Sequence, residues 1–136
     1  MTPPLSRLKR VREMAQHTVM AVNVHSTSAT EALIQTIADK ISAAVDPEEI
    51  LLFGSQASAL ANADSDIDIL VIVPDQEDMP TARAMLFRKI YDALRRVDIP
   101  IDVLLYSRSE VEAWRGVEGH VINDCLTQGR SLYAHR

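Results

Sequence analysis

The chain has little cysteine, little tryptophan and no long apolar run. Its one cysteine, Cys125, cannot form an intrachain disulfide and has no cysteine or histidine neighbours at zinc-binding spacing, which favours a core position. Trp114, the only tryptophan, lies in an amphipathic stretch, where a core or interface position is more typical than base stacking. No apolar run approaches the roughly 18 residues of a membrane span, and the segment around Pro3 and Pro4 lacks the apolar centre of a secretory signal. We therefore expect a cytoplasmic protein without disulfides, and we assign none of its four histidines to metal.

The charge is acidic overall but uneven along the chain. The 136 residues carry a formal net charge of −5, which argues against broad, sequence-independent binding to nucleic acid. Residues 1–28 nevertheless hold four cationic side chains and one glutamate. This basic stretch is either a solvated helix face or a contact for an acidic partner. The length and a hydrophobic content of 47% suit one domain with a buried core.

Apolar periodicity divides the chain into helices and short strands. Apolar residues at spacings of three or four predict a helix from Leu5 to Val22, in an N-terminal helical extension at residues 1–28. Serine followed three residues later by glutamate predicts helix starts at Ser28 and Ser107. The other predicted elements are strands at 51–53, 66–73 and 99–106 and helices at 56–63, 80–97 and 117–128, the last ending at Gly129 as its C′ residue. This order predicts an α/β (α+β) domain at residues 29–136, with a small mixed sheet and flanking helices.

A small-residue turn follows the first predicted strand. Leu51, Leu52 and Phe53 end at Gly54, which permits a tight turn, and Ser55 begins a stretch compatible with a short helix. A strand, turn and helix in this order direct backbone N–H groups and the positive end of the helix dipole at an anion. The sequence therefore suggests a phosphate site, although Gly-Ser alone is also ordinary turn chemistry.

Two aspartates begin the second predicted strand. Asp66 and Asp68 alternate with Ile67 and Ile69, so in a strand both carboxylates project from one face. Neighbouring carboxylates repel each other, but a divalent cation converts that repulsion into coordination. The alternative is a solvated strand end with no bound ion.

A third aspartate favours the metal interpretation. Asp102 lies inside the apolar run 99–106, where a buried carboxylate is costly unless a cation is near. The strand of Asp66 and Asp68 is the expected neighbour if a helical crossover or a meander connects the two strands. The alternative places Asp102 at a strand end in contact with water.

At these residues the chain resembles a known family. Leu52-Phe53-Gly54-Ser55, followed by Ser65-Asp66-Ile67-Asp68 and later by Asp102, is similar to the Gly-Ser and Asp-x-Asp pattern of the polymerase β-like nucleotidyltransferases. The closer resemblance is to their minimal nucleotidyltransferase (MNT) group, whose closing helix, glycine and Leu-Tyr are similar to residues 124–133. The resemblance covers about residues 45–134 and implies the polymerase β-like nucleotidyltransferase fold.

The resemblance also implies roles for the residues. Gly54, Ser55 and Ser65 would bind the nucleotide, while Asp66, Asp68 and Asp102 would be catalytic and would bind Mg²⁺ or Mn²⁺. The implied reaction transfers a nucleoside monophosphate, AMP from ATP, to an acceptor hydroxyl. In the phosphate turn the family commonly has an arginine and a glycine where this chain has Ser58 and Ala59. That departure removes a cation beside the triphosphate and bears on catalytic efficiency.

The acceptor and the partner are not fixed by the residues. Small MNT proteins are similar to the antitoxins of HEPN/MNT pairs, in which AMP is added to a tyrosine of the HEPN-domain toxin. A HEPN-type partner is therefore one expectation, and a homo-oligomer is another. The alternatives are a catalytically weak module that binds nucleotide or a partner, and an interaction protein whose carboxylates are merely solvated.

Overall fold

The computed structural model describes the backbone of residues 19–22 and, with their side chains, residues 31–54 and 67–135. Its elements in chain order are β1 (Val19–Val22), α1 (Glu31–Val45), β2 (Glu49–Phe53), β3 (Ile67–Val73), α2 (Met79–Ala93), β4 (Ile101–Ser107), α3 (Arg108–Trp114), α4 (Val121–Gln128) and β5 (Arg130–Ala134). No helix in these ranges is long and apolar enough to cross a membrane.

Five strands within the described ranges form one mixed sheet. Their order across the sheet is β1-β4-β3-β2-β5. β3 and β4 are parallel, and the three other neighbouring pairs are antiparallel. A parallel pair needs a long connection, and α2 provides it. The predicted mixed sheet with flanking helices is therefore confirmed.

The two faces of the sheet bury different sets of side chains, because successive residues of a strand point to opposite faces. One face forms the larger core, in which α1 and α2 cover the strands; its members include Ile37, Ile41, Ile69, Val71, Ile90, Val103 and Leu105. The other face forms the smaller core under α3 and α4; its members include Phe53, Leu70, Ile72, Leu104, Val111, Ile122 and Cys125. The prediction that Cys125 is a core residue is confirmed.

Two helices begin at side chains that cap free backbone N–H groups. At α2, the Asp78 carboxylate accepts a hydrogen bond from the backbone N–H of Thr81 at 3.3 Å. At α3, the Ser107 hydroxyl accepts from the backbone N–H of Glu110 at 3.2 Å, and the Glu110 carboxylate accepts from that of Ser107 at 2.8 Å. The predicted capping box at Ser107 is confirmed, whereas Ser28 lies outside the described residues.

The predicted N-terminal helix is wrong at its end. Val19–Val22 form β1, which pairs antiparallel with β4. Val19 and Val22 fit a helical spacing, but β-branched residues also suit a strand, and the edge of β4 offers hydrogen-bond partners that a sequence pattern does not reveal. The rest of that predicted helix lies outside the described residues. The domain boundary between residues 28 and 29 stays a prediction.

The C-terminal part of the domain also differs from the prediction. α4 begins at Val121 rather than at residue 117, because Gly116 (φ 81°) and Gly119 (φ 85°) adopt left-handed conformations that interrupt a helix. Gly129 is not a left-handed C′ residue: its φ is −74°. Close packing excludes a side chain at this position, because a Cβ on Gly129 would lie 2.3 Å from the carbonyl oxygen of Cys125. Strand β5, which follows it and pairs with β2, was not predicted.

The helix after Pro80 is shorter than predicted. α2 ends at Ala93, and the chain turns at residues 94–96. Leu94 and Val97 remain buried in the larger core, so the apolar spacing continues past the end of the helix itself.

Candidate active site

Asp68 and Asp102 lie side by side near the starts of two inner strands of the sheet. They are paired in the parallel register of β3 and β4, and each is the second residue of its strand. Neighbouring strands are about 4.8 Å apart, and residues in register point to the same face. That face is the one with the smaller core, because Leu70 and Leu104 belong to it. Both aspartates are buried, with exposures of 4% and 3%.

Gly54 contacts the carboxylate of Asp68. Phe53, the last residue of β2, is paired with Asp68, so the turn after β2 begins beside that aspartate. Gly54 has φ 74°, and a Cβ built on it would lie 2.3 Å from Oδ2 of Asp68. Glycine is therefore required at this position for two reasons: the backbone is left-handed, and the Asp68 carboxylate occupies the space that a side chain would need. Sequence reasoning gave Gly54 a phosphate-binding role only, because the contact follows from the pairing of Phe53 with Asp68, a register that no local sequence pattern reveals.

The other predicted site residues lie outside the described residues. These are Ser55, Ser65 and Asp66, together with the departure at Ser58 and Ala59. The described ranges alone hold no group of three His, Cys, Asp or Glu side chains placed to bind a metal ion. The assignment of Asp66 as a third ligand therefore stays a prediction.

The Asp68 and Asp102 pair fits a divalent cation. Carboxylate oxygens are the ligands that Mg²⁺ and Mn²⁺ prefer in proteins. Two buried carboxylates on one face repel each other unless a positive charge or a proton lies between them. The cradle formed by Gly54 keeps side-chain atoms away from Oδ2 of Asp68. The donor set and the space are those of a hard-cation site.

Arg83 lies at the opposite end of β4 from Asp102. Its guanidinium is buried, donates to the carbonyl oxygen of Leu105 at 3.2 Å and forms an ion pair with Glu110. It also lies 6.0 Å from the ring centre of Tyr106. Because Leu105 is three residues beyond Asp102 along an extended strand, roughly 10 Å away, Arg83 fixes α2 to β4 at a distance from the two aspartates.

Further polar contacts hold the same end of the sheet. Asp75 accepts hydrogen bonds from the backbone N–H of Ser109, at 2.8 Å, and from its hydroxyl. The hydroxyl contact, followed by the backbone contact, lowers the pKa of the Asp75 carboxyl below its ordinary value. Arg108 forms ion pairs with Glu48 at 2.9 Å and with Glu49 at 3.5 Å. This end of the sheet is therefore occupied by structural contacts.

Trp114 and His120 form an aromatic pair that sequence reasoning missed. Their rings are parallel within 6°, with centres 3.8 Å apart. Trp114 is 40% exposed, so of the two expected positions the core is excluded and an interface position stays a prediction. His120 is buried, and its Nδ1 accepts a hydrogen bond from the backbone N–H of Ile122 at 3.1 Å. Burial lowers the pKa of His120, against the opposing effect of Asp124.

Comparison with protein families identifies the class of this domain. The family model described as "Nucleotidyltransferase domain" matches residues 34–124, which is more than half of the chain. No curated protein and no solved structure matches the chain. The matched residues include β3 and β4 with Asp68 and Asp102, together with Gly54. The chain therefore belongs to the nucleotidyltransferase domain family, within the polymerase β-like superfamily, and it is a transferase of that class.

Proposed function

We propose that this protein is a metal-dependent nucleotidyltransferase that transfers AMP from ATP to an acceptor hydroxyl. The observation that carries the proposal is the pairing of Asp68 with Asp102 on one buried face, with Gly54 against the Asp68 carboxylate. Two buried carboxylates in register are costly to a fold. A nucleotidyltransferase needs such a pair, and the family supplies the reaction class.

In the proposed reaction one set of residues binds ATP and another holds the metal. Gly54, Ser55 and Ser65 bind the phosphates of ATP, and Asp66, Asp68 and Asp102 hold Mg²⁺ or Mn²⁺. The acceptor hydroxyl releases its proton to solvent as its oxygen forms a bond to the α-phosphorus, the bond from that phosphorus to the α,β-bridging oxygen breaks, and pyrophosphate leaves. Divalent metal, when bound, would supply charge stabilisation on the phosphate oxygens and a lower pKa for the attacking hydroxyl.

For the acceptor we propose a tyrosine hydroxyl of a HEPN-type partner. The support is the similarity to the MNT group, in which a separate protein supplies the acceptor. The chain itself forms one sheet with its flanking helices in the described ranges and has no second body there to hold a large acceptor. This proposal concerns the acceptor alone, so its failure would leave nucleotidyl transfer to another hydroxyl intact.

The test is metal-dependent ATP binding followed by turnover. Calorimetry should detect ATP binding with Mg²⁺ or Mn²⁺, and the double variant Asp66→Asn, Asp68→Asn should abolish it, because neutral amides bind the cation poorly. Asp92→Asn is the control, since Asp92 is an exposed carboxylate on α2. Transfer of label from α-labelled ATP to the partner should follow the same pattern. Equal ATP affinity with and without EDTA would refute the metal dependence.

A second function is favoured by one sequence observation. Ser58 and Ala59 replace the usual arginine and glycine of the phosphate turn, which suits a catalytically weak module that binds nucleotide or a partner. A restored arginine would add a charge-assisted contact of roughly 1.5 to 3 kcal/mol. Ser58→Arg should then tighten ATP binding about ten- to a hundredfold, and turnover should rise if the contact is stronger in the transition state. Unchanged ATP affinity in a folded variant would mean either that residue 58 does not face the phosphates or that another cation already occupies that place.

A further inference from the structure

The outer side of α2 carries a group of exposed cations. Arg88 and Lys89 lie on the exposed side of the helix, and Arg95 and Arg96 lie in the turn that follows it. We call these four residues, with the exposed Met85 and Tyr91 beside them, the cationic surface. Asp92 is the one carboxylate within this stretch of the helix and turn. The surface is therefore strongly basic in a chain of net charge −5.

These cations differ from the other arginines of the structure. Within the described ranges, each of Arg83, Arg108, Arg115 and Arg130 forms an ion pair with a glutamate. None of the four cations of the cationic surface forms an ion pair with a described residue. Intramolecular pairing is thus the rule for arginines elsewhere in the described fold, and this surface is the exception.

The apolar residues of the surface are unusually exposed. Met85 has an exposure of 59% and Tyr91 of 50%. Met85 and Lys89 also line a groove of about 310 Å³, together with Val45 at the end of α1 and Val73 at the end of β3. Arginine, methionine and tyrosine are the side chains that protein interfaces favour, and lysine is not among them. The composition is that of a protein-binding surface with an anchor groove.

The topology places the basic end of this surface near the aspartates. β3 and β4 are parallel and α2 connects them, so α2 leads back from the far end of β3 to the start of β4. Arg95 and Arg96 therefore lie at the end of the sheet where Asp68 and Asp102 are located. The helix covers the opposite face of the sheet from the two carboxylates.

We propose that the cationic surface is the docking surface for a protein partner that presents acidic side chains around an apolar anchor. Charge complementarity requires an acidic partner. A nucleic acid fits less well, because its binding gains little from Met85 and is opposed by the net charge of −5. The inference goes beyond nucleotidyl transfer: it concerns binding on the other face of the sheet and holds for an inactive chain as well.

The experiment measures fluorescence anisotropy with the full-length protein and three labelled probes. The first probe is an amphipathic helical peptide of leucine and glutamate, the second is the same peptide with glutamine for glutamate, and the third is a short single-stranded RNA. The matched variants are Lys89→Glu and Lys40→Glu. Both lysines are exposed helical residues without a described ion pair, but Lys40 belongs to α1 and does not line the groove.

We expect the acidic peptide to bind and the glutamine peptide to bind at least about tenfold more weakly. Lys89→Glu and Arg88→Glu should each weaken the acidic peptide by about tenfold, whereas Lys40→Glu should change its affinity by less than about twofold. Met85→Ala should weaken both peptides, because the anchor is apolar.

Four results would overturn the proposal. Equal losses of affinity for the acidic peptide in Lys89→Glu and Lys40→Glu would mean that the peptide is attracted by the charge of the whole protein and not by the cationic surface. Binding of the RNA in preference to the acidic peptide would make the surface a nucleic-acid site. A dimer in sedimentation that Arg88→Glu dissociates would identify a second copy of the chain as the occupant. Absence of peptide binding at low ionic strength would exclude an acidic partner.

Discussion

The two faces of β3 and β4 differ in the polarity of their side chains. The face toward α1 and α2 is apolar from Ile67 to Val73 in β3 and from Ile101 to Leu105 in β4, before the polar Ser107 ends that strand. The face toward α3 and α4 begins with Asp68 and Asp102 and becomes apolar only after them. Leucine at those two positions would extend the smaller core at no electrostatic cost. We therefore propose that the aspartates are kept for the chemistry of the site, while the larger core provides the stability that permits them.

The largest expected effect on stability separates a substitution on one face of the sheet from a substitution on the other. Ile69→Ala should lower the free energy of unfolding by about 2 to 5 kcal/mol, because it leaves a cavity in the larger core. Asp68→Asn should change it by less than about 1 kcal/mol in EDTA, because the variant removes repulsion between neighbouring carboxylates while the side chain keeps its size. Urea unfolding of the two variants and the parent measures both changes.

Metal addition sharpens the same comparison. Mg²⁺ or Mn²⁺ should raise the melting temperature of the parent and of Ile69→Ala, since a ligand that binds only the folded state stabilises it. The rise should be absent in Asp68→Asn. An Asp68→Asn variant as destabilised as Ile69→Ala would mean that Asp68 is a structural residue.

A smaller effect on stability is expected from substitution of Gly54, in the turn that joins β2 to the site. Gly54→Ala and Gly116→Ala both place a side chain at a left-handed φ, 74° and 81°, which costs about 1 to 2 kcal/mol in each case. Only at Gly54 does the new Cβ meet the Asp68 carboxylate, whereas nothing lies within 4 Å at Gly116. Gly54→Ala should therefore also weaken Mn²⁺ binding, which calorimetry can measure.

Gly116→Ala is the control for backbone strain in that experiment. It should lose stability and retain the Mn²⁺ affinity of the parent. Equal Mn²⁺ affinity in the two alanine variants would contradict the positioning role of Gly54.

The smallest expected effect is the pH dependence of stability that His120, at the start of α4, contributes. Burial lowers the pKa of His120 below its ordinary value of 6.5, so the unfolded chain takes up the proton first as the pH falls. The free energy of unfolding should be constant above that value and should decrease as the pH falls through the lowered pKa. Protonation of Nδ1 also removes the capping hydrogen bond to Ile122, and N-caps contribute about 0.5 to 2 kcal/mol.

His120→Asn tests this assignment, because asparagine caps a helix without titrating. Urea unfolding across the pH range should show a weaker decrease for the variant than for the parent at acid pH. Two parallel curves would assign the pH dependence to other groups.

Local signals predicted the parts of the fold that depend on neighbouring residues. The capping box at Ser107 and the apolar alternation of β3 need only a few adjacent residues, and both are confirmed. β1 and β5 were not predicted, because each is short and is stabilised by a partner strand far away in the sequence. A shared face for Asp68 and Asp102 was expected from the cost of a charge inside the apolar run 99–106, but their register depends on how α2 packs against the sheet, which no local pattern encodes.

The direct junction between β4 and α3 has a consequence for how the chain tolerates change. Ser107 is both the last residue of the strand and the N-cap of the helix, so no loop residue separates them. An insertion there would destroy the capping box and shift β4, with Asp102, against β3. Residues 115–119, in contrast, are exposed and contain two left-handed glycines, so an added segment has room to leave the surface. A reporter or affinity tag placed inside this domain therefore belongs between α3 and α4.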